Sequence, residues 1–202
     1  LAGRFLSYRK EKRIRFLRRE SDKAFFKGIQ YILSNDHDQA IEEFTKSVQI
    51  NSDTIETYVA LGNLYRSKGD IDRAIRIRQS IILRPNLDEA LKLRALIDLG
   101  LDYLKGGFMN RALEALNQAL QKEPANLEAL DGMEKIYEDM KDWENAFVTR
   151  QKIARVSKGN HKHILAHYQA ELGKASQEKG DLSKAKSCFQ KAISIDDKCL
   201  DA

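Results

Sequence analysis

Proline is nearly missing from this chain, with Pro85 and Pro124 the two occurrences in 202 residues. That scarcity, with no concentration of strand formers anywhere, predicts long uninterrupted helices. Cysteine is almost as rare. Cys188 and Cys199 are too few for a disulfide framework and lack the CxxC spacing of a metal or redox site, which suits a reducing compartment. No run approaches the roughly eighteen consecutive apolar residues of a membrane span, and no signal peptide is expected. The phosphate-cradling, dinucleotide-binding, zinc-protease and nucleophile-elbow motifs are also missing, so no enzyme is expected.

What is present is 42% hydrophobic and 32% charged residues, with a formal net charge of +5. The charge is uneven. Residues 1–20 hold eight cations, Arg4, Arg9, Lys10, Lys12, Arg13, Arg15, Arg18 and Arg19, against Glu11 and Glu20. The remainder of the chain sums to about neutrality. A uniformly basic surface would point to nucleic acid, whereas a basic block at one end of a neutral body points to a membrane-proximal segment or a flexible arm. No nucleic-acid partner is expected.

An internal phrase recurs five times: NDHDQAIEEF (35–44), KGDIDRAIRI (68–77), GGFMNRALEAL (106–116), MKDWENAFV (140–148) and KGDLSKAKSCF (179–189). Its alanines, Ala40, Ala74, Ala112, Ala146 and Ala185, are spaced by 34, 38, 34 and 39 residues. A unit of about 34 residues with small residues at fixed places is the tetratricopeptide period, a pair of antiparallel helices. The expected fold is therefore all-α, a tetratricopeptide-repeat right-handed superhelical solenoid of about five helix pairs. With each alanine as position 20, the units span 21–54, 55–92, 93–126, 127–165 and 166–199, behind a basic segment 1–20. The second and fourth carry extensions, which lengthen the next incoming helices to about Leu87–Lys105 and His161–Lys179.

Position 15 reads Asn35, Gly69, Gly107, Lys141 and Gly180, where a left-handed residue would end each first helix. Position 16 supplies Asp36, Asp70, Asp142 and Asp181 to cap four second helices. Small residues at position 8 (Gly28, Gly62, Gly100 and Gly173) let paired helices approach. The second and fourth units break the pattern: Arg78 and Arg150 stand where the others have Phe44, Leu116 and Phe189. Their long stems are expected to cover apolar surface while the heads reach water.

His161, His163 and His167 form the one metal-like spacing, but no cysteine or supporting acid accompanies them, and a surface or groove role is expected. The pairs Glu42-Glu43 and Glu138-Asp139 read as solvated helix faces. Function is expected on the inner face of the first helices. Candidates are Phe25, Ile29 and Leu33 from the first unit, Val59, Asn63 and Arg66 from the second, and Ile97, Leu101 and Lys105 from the third. An apolar groove with an amide and a guanidinium beside it suits a peptide or folded protein partner. The chain's own N-terminal helix could equally cover that groove. Self-association is left open.

The runs LGNLYRSKGDIDRAIRIRQ (61–79), FFKGIQYILSNDHDQAIEEF (25–44), LRALIDLGLDYLKGGFMNRALEALNQAL (93–120), DWENAF (142–147) and HILAHYQAELG (163–173) resemble the lipopolysaccharide assembly protein B family of Gram-negative bacteria. The resemblance implies a piece of a longer protein: an N-terminal transmembrane helix, a basic juxtamembrane stretch, this repeat array and a C-terminal four-cysteine metal domain. It implies an adaptor on the cytoplasmic face of the inner membrane that brings the lipid A deacetylase to a membrane protease, with no cofactor in this segment. In that setting Arg9, Lys10, Lys12, Arg13, Arg15, Arg18 and Arg19 are the membrane-proximal basic residues. The alternative is a generic repeat scaffold in a pilus, secretion or chaperone-type complex.

Overall fold

The computed structural model describes the backbone of residues 2–52 and 54–199 and side chains from Tyr8 on, so the Arg4 side chain lies outside the described residues. Among these residues there are ten helices and no strand: α1 (Ala2–Leu33), α2 (His37–Ile50), α3 (Ile55–Ser67), α4 (Ile71–Ile82), α5 (Glu89–Lys105), α6 (Met109–Lys122), α7 (Leu127–Asp139), α8 (Trp143–Val156), α9 (Lys162–Glu178) and α10 (Leu182–Ile195). They divide into two compact units, residues 1–95 and 96–202. In the first, α1 packs on α2, α2 on α3 and α3 on α4, around Ala40, Phe44, Leu61 and Leu64. In the second, successive helices pack from α6 to α10, with Ala166, Ala170, Ala192 and Cys199 forming the core at its far end.

The turn inside each pair follows the local chemistry read from the sequence. Gly69, Gly107 and Gly180 have φ of 80°, 78° and 79°, and Asn35 and Lys141 take the same left-handed conformation at 59° and 56°. One residue later the chain opens a helix. Asp36, Asp70, Asp142 and Asp181 accept from the amides of Gln39 (3.2 Å), Arg73 (3.3 Å), Asn145 (3.2 Å) and Lys184 (2.9 Å). Phe108 at the same place in the third pair makes no such cap.

Paired helices come closest where position 8 meets position 24. A Cβ built on Gly28 would lie 2.6 Å from Phe44, one on Gly100 2.6 Å from Leu116, and one on Gly173 2.5 Å from Phe189. Arg78 occupies the same place in the second pair, with its Cζ 2.8 Å from a Cβ added to Gly62. The register is thus intact, but the expected route of the arginine heads to water is corrected. Arg78 is completely buried, donating from Nη1 to the Val59 carbonyl (3.4 Å) and from Nη2 to Asn63 Oδ1. In the fourth pair position 8 is Glu134, and it takes Arg150 in a two-pronged ion pair, Nε to Oε1 at 2.6 Å and Nη2 to Oε2. The cause is geometric: position 24 points at the facing backbone, so a long polar side chain there meets carbonyls and side chains of its own pair before solvent.

The basic segment is no flexible arm. It is helical and continuous with the first repeat helix, because residues 2–33 contain no proline and are rich in Arg and Lys, good helix formers. At 32 residues α1 is about 48 Å long, while its partner α2 has 14 residues. The two helices meet from Ser21 onward, where the Ser21 and Ser47 hydroxyls lie 3.0 Å apart and Ser47 donates to the Ser21 carbonyl (3.0 Å). Residues before Ser21 overhang the pair, and every described side chain from Tyr8 to Arg19 is exposed.

Three variants test this packing. Lys141→Gly removes the cost of a left-handed non-glycine residue and raises stability in urea unfolding, by about 1 kcal/mol. Arg150→Ala strands the buried Glu134 and lowers stability by about 3–5 kcal/mol. Glu134→Gly combined with Arg150→Phe rebuilds the first pair's contact and restores most of that loss.

Candidate partner-binding surfaces

In the first unit Phe25 and Ile29 are half-buried, packed with Ile32 against the Ala40–Phe44–Leu61–Leu64 cluster, and the Phe25 ring lies 5.6 Å from that of Phe44. Leu33 is open, 82% exposed. On α3, Val59 is half-buried and Asn63 is exposed, but the Asn63 side-chain oxygen is already engaged by Arg78. Arg66 is half-buried and engaged. The side chain sequence reasoning offered to a peptide carboxylate is therefore held by the protein itself.

In the second unit the third-repeat candidates separate. Ile97 is 2% exposed, a core residue rather than a groove residue, because it lies within the stretch 95–100 of α5, which is buried on every side. Leu101 is half-buried, and its Cδ2 lies 3.2 Å from a Cβ added to Gly132 on α7. Lys105 is exposed and engaged. Of the nine inner-face candidates, Leu33, Asn63 and Lys105 are exposed.

Two polar clusters were not legible as such in the sequence. Glu43, expected on a solvated face, is 5% exposed and accepts from Lys27 (2.9 Å) and Lys46 (3.1 Å). The Lys27 hydrogen bond, foremost, holds its carboxyl below the usual range. Glu42 does stay exposed, 2.9 Å from Lys46. The second cluster joins three helices. The Tyr168 hydroxyl on α9 sits 2.9 Å from Glu134 Oε1 and within hydrogen-bonding reach of Glu138 Oε1, and Trp143 on α8 stacks on the Tyr168 ring at 6.0 Å. Burial raises the Tyr168 hydroxyl far above its ordinary range, so it remains a donor. Burial also pushes the Glu134 carboxyl up, with Arg150 and Tyr168 opposing. This cluster staples the fourth helix pair to the fifth.

The histidines disperse. His161 contacts Ser157 Oγ (3.2 Å), His163 lies 3.5 Å from Asp196, and His167 lies 6.2 Å from the Trp143 ring. Among the described residues no group of three metal-type ligands converges. No helix among them is long and apolar enough to cross a membrane.

Where the α1 overhang leaves the first pair, a cleft of about 880 Å³ opens. Ile14, Leu17 and Arg18 of the overhang form one side, Asp22, Phe25 and Phe26 lie further along α1, and Ile50, Asn51, Thr54 and Glu56 complete the lining. Sequence reasoning missed it. The signal was present in Ile14 and Leu17, which continue the stripe of Ser21, Ala24, Phe25 and Gly28 at helical spacing.

Repeated helix pairs with half-open first-helix faces are the features of a class of protein-binding modules. Tetratricopeptide-repeat family models match residues 57–92 and 166–199, and a crystal structure of MamA superposes with a TM-score of 0.61 at 22% identity, over 85% of this chain and 95% of that one. The fold is that of the tetratricopeptide-repeat proteins. Within that class, the resemblance to lipopolysaccharide assembly protein B holds along most of the chain. It is 30% identical over 169 residues to the Escherichia coli K12 protein of that name, and 34% identical over 184 residues to the Haemophilus influenzae one. Those alignments cover 84% and 87% of this chain but 43% and 46% of the relatives, so the chain spans less than half their length.

A carboxyl held below its ordinary value stabilises the fold above the usual carboxylate range, and that stabilisation is lost as pH falls through the lowered value. Thermal unfolding midpoints therefore drop below pH 4.5, the ordinary Glu value. Glu43→Gln lowers the midpoint at neutral pH and flattens the acid limb.

Proposed function

We propose that this chain is the repeat region of an adaptor on the cytoplasmic face of the bacterial inner membrane, bringing the lipid A deacetylase to a membrane protease and so tuning lipopolysaccharide synthesis. The observation that carries the reading is the similarity to lipopolysaccharide assembly protein B along most of the chain. The basic overhang supports it. Lys12, Arg15 and Arg19 recur on one side of α1, exposed and without an ion-pair partner among the described residues. Each such cation near anionic lipid contributes about 1 kcal/mol.

In this reading the overhang lies at the lipid surface while the exposed inner-face residues Leu33 and Asn63 contact the protein cargo. The segment takes no cofactor, and chemistry is left to the proteins it gathers.

Depleting the protein from its host shifts the steady-state level of the deacetylase, read by immunoblot; an unchanged level counts against the adaptor role. Reversing Lys12, Arg15 and Arg19 to glutamate weakens sedimentation with phosphatidylglycerol vesicles, and raising the salt concentration weakens binding of the native chain. Binding that ignores both changes removes the lipid contact.

A further inference from the structure

A recess of about 390 Å³ opens where the end of α6, the start of α7 and the end of α8 come together, and it involves none of the inner-face candidates and no part of the overhang. Its walls are apolar. Leu120 comes from α6, Pro124 from the α6–α7 connection, Leu130, 1% exposed, from the start of α7, and Val156 from the last turn of α8. Among the described residues that line it, Lys152 and Arg155 on α8 carry the charge, and no carboxylate joins them. Both cations are exposed and have no ion-pair partner among the described residues. The acids nearest to it along the α6–α7 connection are occupied: Glu123 accepts from the Asn126 side-chain amide at 2.8 Å, and Glu128 is engaged.

The repeat does not require this pair of cations. Counted with the alanine at position 20, Lys152 and Arg155 hold positions 26 and 29, and no other helix pair has cations at both: Gln118 and Gln121 stand there in the third, Ser80 and Leu83 in the second. Arg155 lies in the last turn of α8 and suits the carbonyls that end the helix. Lys152 lies a turn earlier and has no such role. Like charges one turn apart on a helix repel each other, so the two together weaken α8 until an anion sits between them.

Charge is on one wall of the recess and apolar surface on the others, so the matching occupant is an aliphatic side chain with a carboxylate beside it. The volume is at the small end of the range for ligand recesses, room for one such side chain and its adjoining backbone rather than for a helix about 10–12 Å across. A nucleic-acid strand stacks its bases on aromatic rings, and none is among the described lining. A lipid surface is held by clusters of about four to eight cations, whereas here two flank an inset apolar floor.

We infer that this recess docks a short acidic segment of a partner protein, a leucine-type side chain against Leu120, Pro124 and Leu130 and an adjacent carboxylate against Lys152 and Arg155. The inference goes beyond the adaptor reading and does not depend on which protein the adaptor carries.

The test uses the full chain and three short labelled peptides blocked at both ends: glutamates around a central leucine, the same with glutamine for glutamate, and the glutamate peptide with serine for leucine. Fluorescence anisotropy reads binding. The first peptide binds about tenfold tighter, or more, than either of the others. Lys152→Glu with Arg155→Glu removes that advantage, while Lys158→Glu, outside the lining, changes affinity by less than about threefold because it acts only through screening solvent. All three side chains are exposed, so circular dichroism of the variants matches the native chain. Hydrogen exchange localises protection by the first peptide to residues 120–130 and 152–156. Equal affinity for the first peptide and either of the others, binding unchanged in the Lys152/Arg155 variant, or protection confined to the overhang overturns the inference. So does sedimentation with phosphatidylglycerol vesicles that this variant abolishes while no peptide binds, which would make lipid the occupant. None of these outcomes alters the deacetylase-level test of the adaptor role.

Discussion

The architecture depends on one close approach repeated along the chain, where the eighth residue of a unit meets the twenty-fourth across the helix pair. With glycine on one side, the facing side chain lies almost on the backbone, as Phe44 does over Gly28 and Leu116 over Gly100. Interhelical distance is then governed by what fills that point. A phenyl ring, a leucine and a guanidinium all do so against glycine, since each presents a flat or compact group to the bare backbone. The fourth pair reaches the same end by a different route, replacing the small residue by Glu134 and balancing it with Arg150.

Much of this was legible beforehand because its causes are local. The left-handed residue and the aspartate after it act on neighbouring amides, so Gly69-Asp70 or Lys141-Asp142 declares its turn within two residues. The alanines declare the period. Arg78 and Arg150 were misread because their destinations depend on partners fifteen to nineteen residues away, Val59, Asn63 and Glu134, whose orientation exists only once the pair has closed. Glu43 was misread similarly, its burial set by Lys27 on the partner helix. Ile97 shows another limit: a position number says which side of a helix a residue occupies, not whether that side is open.

The candidate surfaces show why recognition in such a module is spread out. Exposed side chains such as Leu33 and Phe26 sit on helices whose spacing the interior has already determined. The polar groups that could have been free for a ligand, Arg78 and part of Asn63, are spent on internal geometry. The Tyr168–Glu134–Glu138 cluster does comparable work between neighbouring pairs, which makes it a fastening between repeats rather than a contact for a partner.

Continuity of α1 has a mechanical consequence. A helix has no swivel within it, and this one runs from the overhang into the first repeat without proline. Whatever grips residues 8–19 therefore sets the tilt and the azimuth of the first helix pair as well as its position. A flexible tether would let that pair sweep a hemisphere and meet partners at an averaged local concentration. A stiff bracket presents one side of it at a constant height and heading, so a partner held in the same plane meets it in a single orientation.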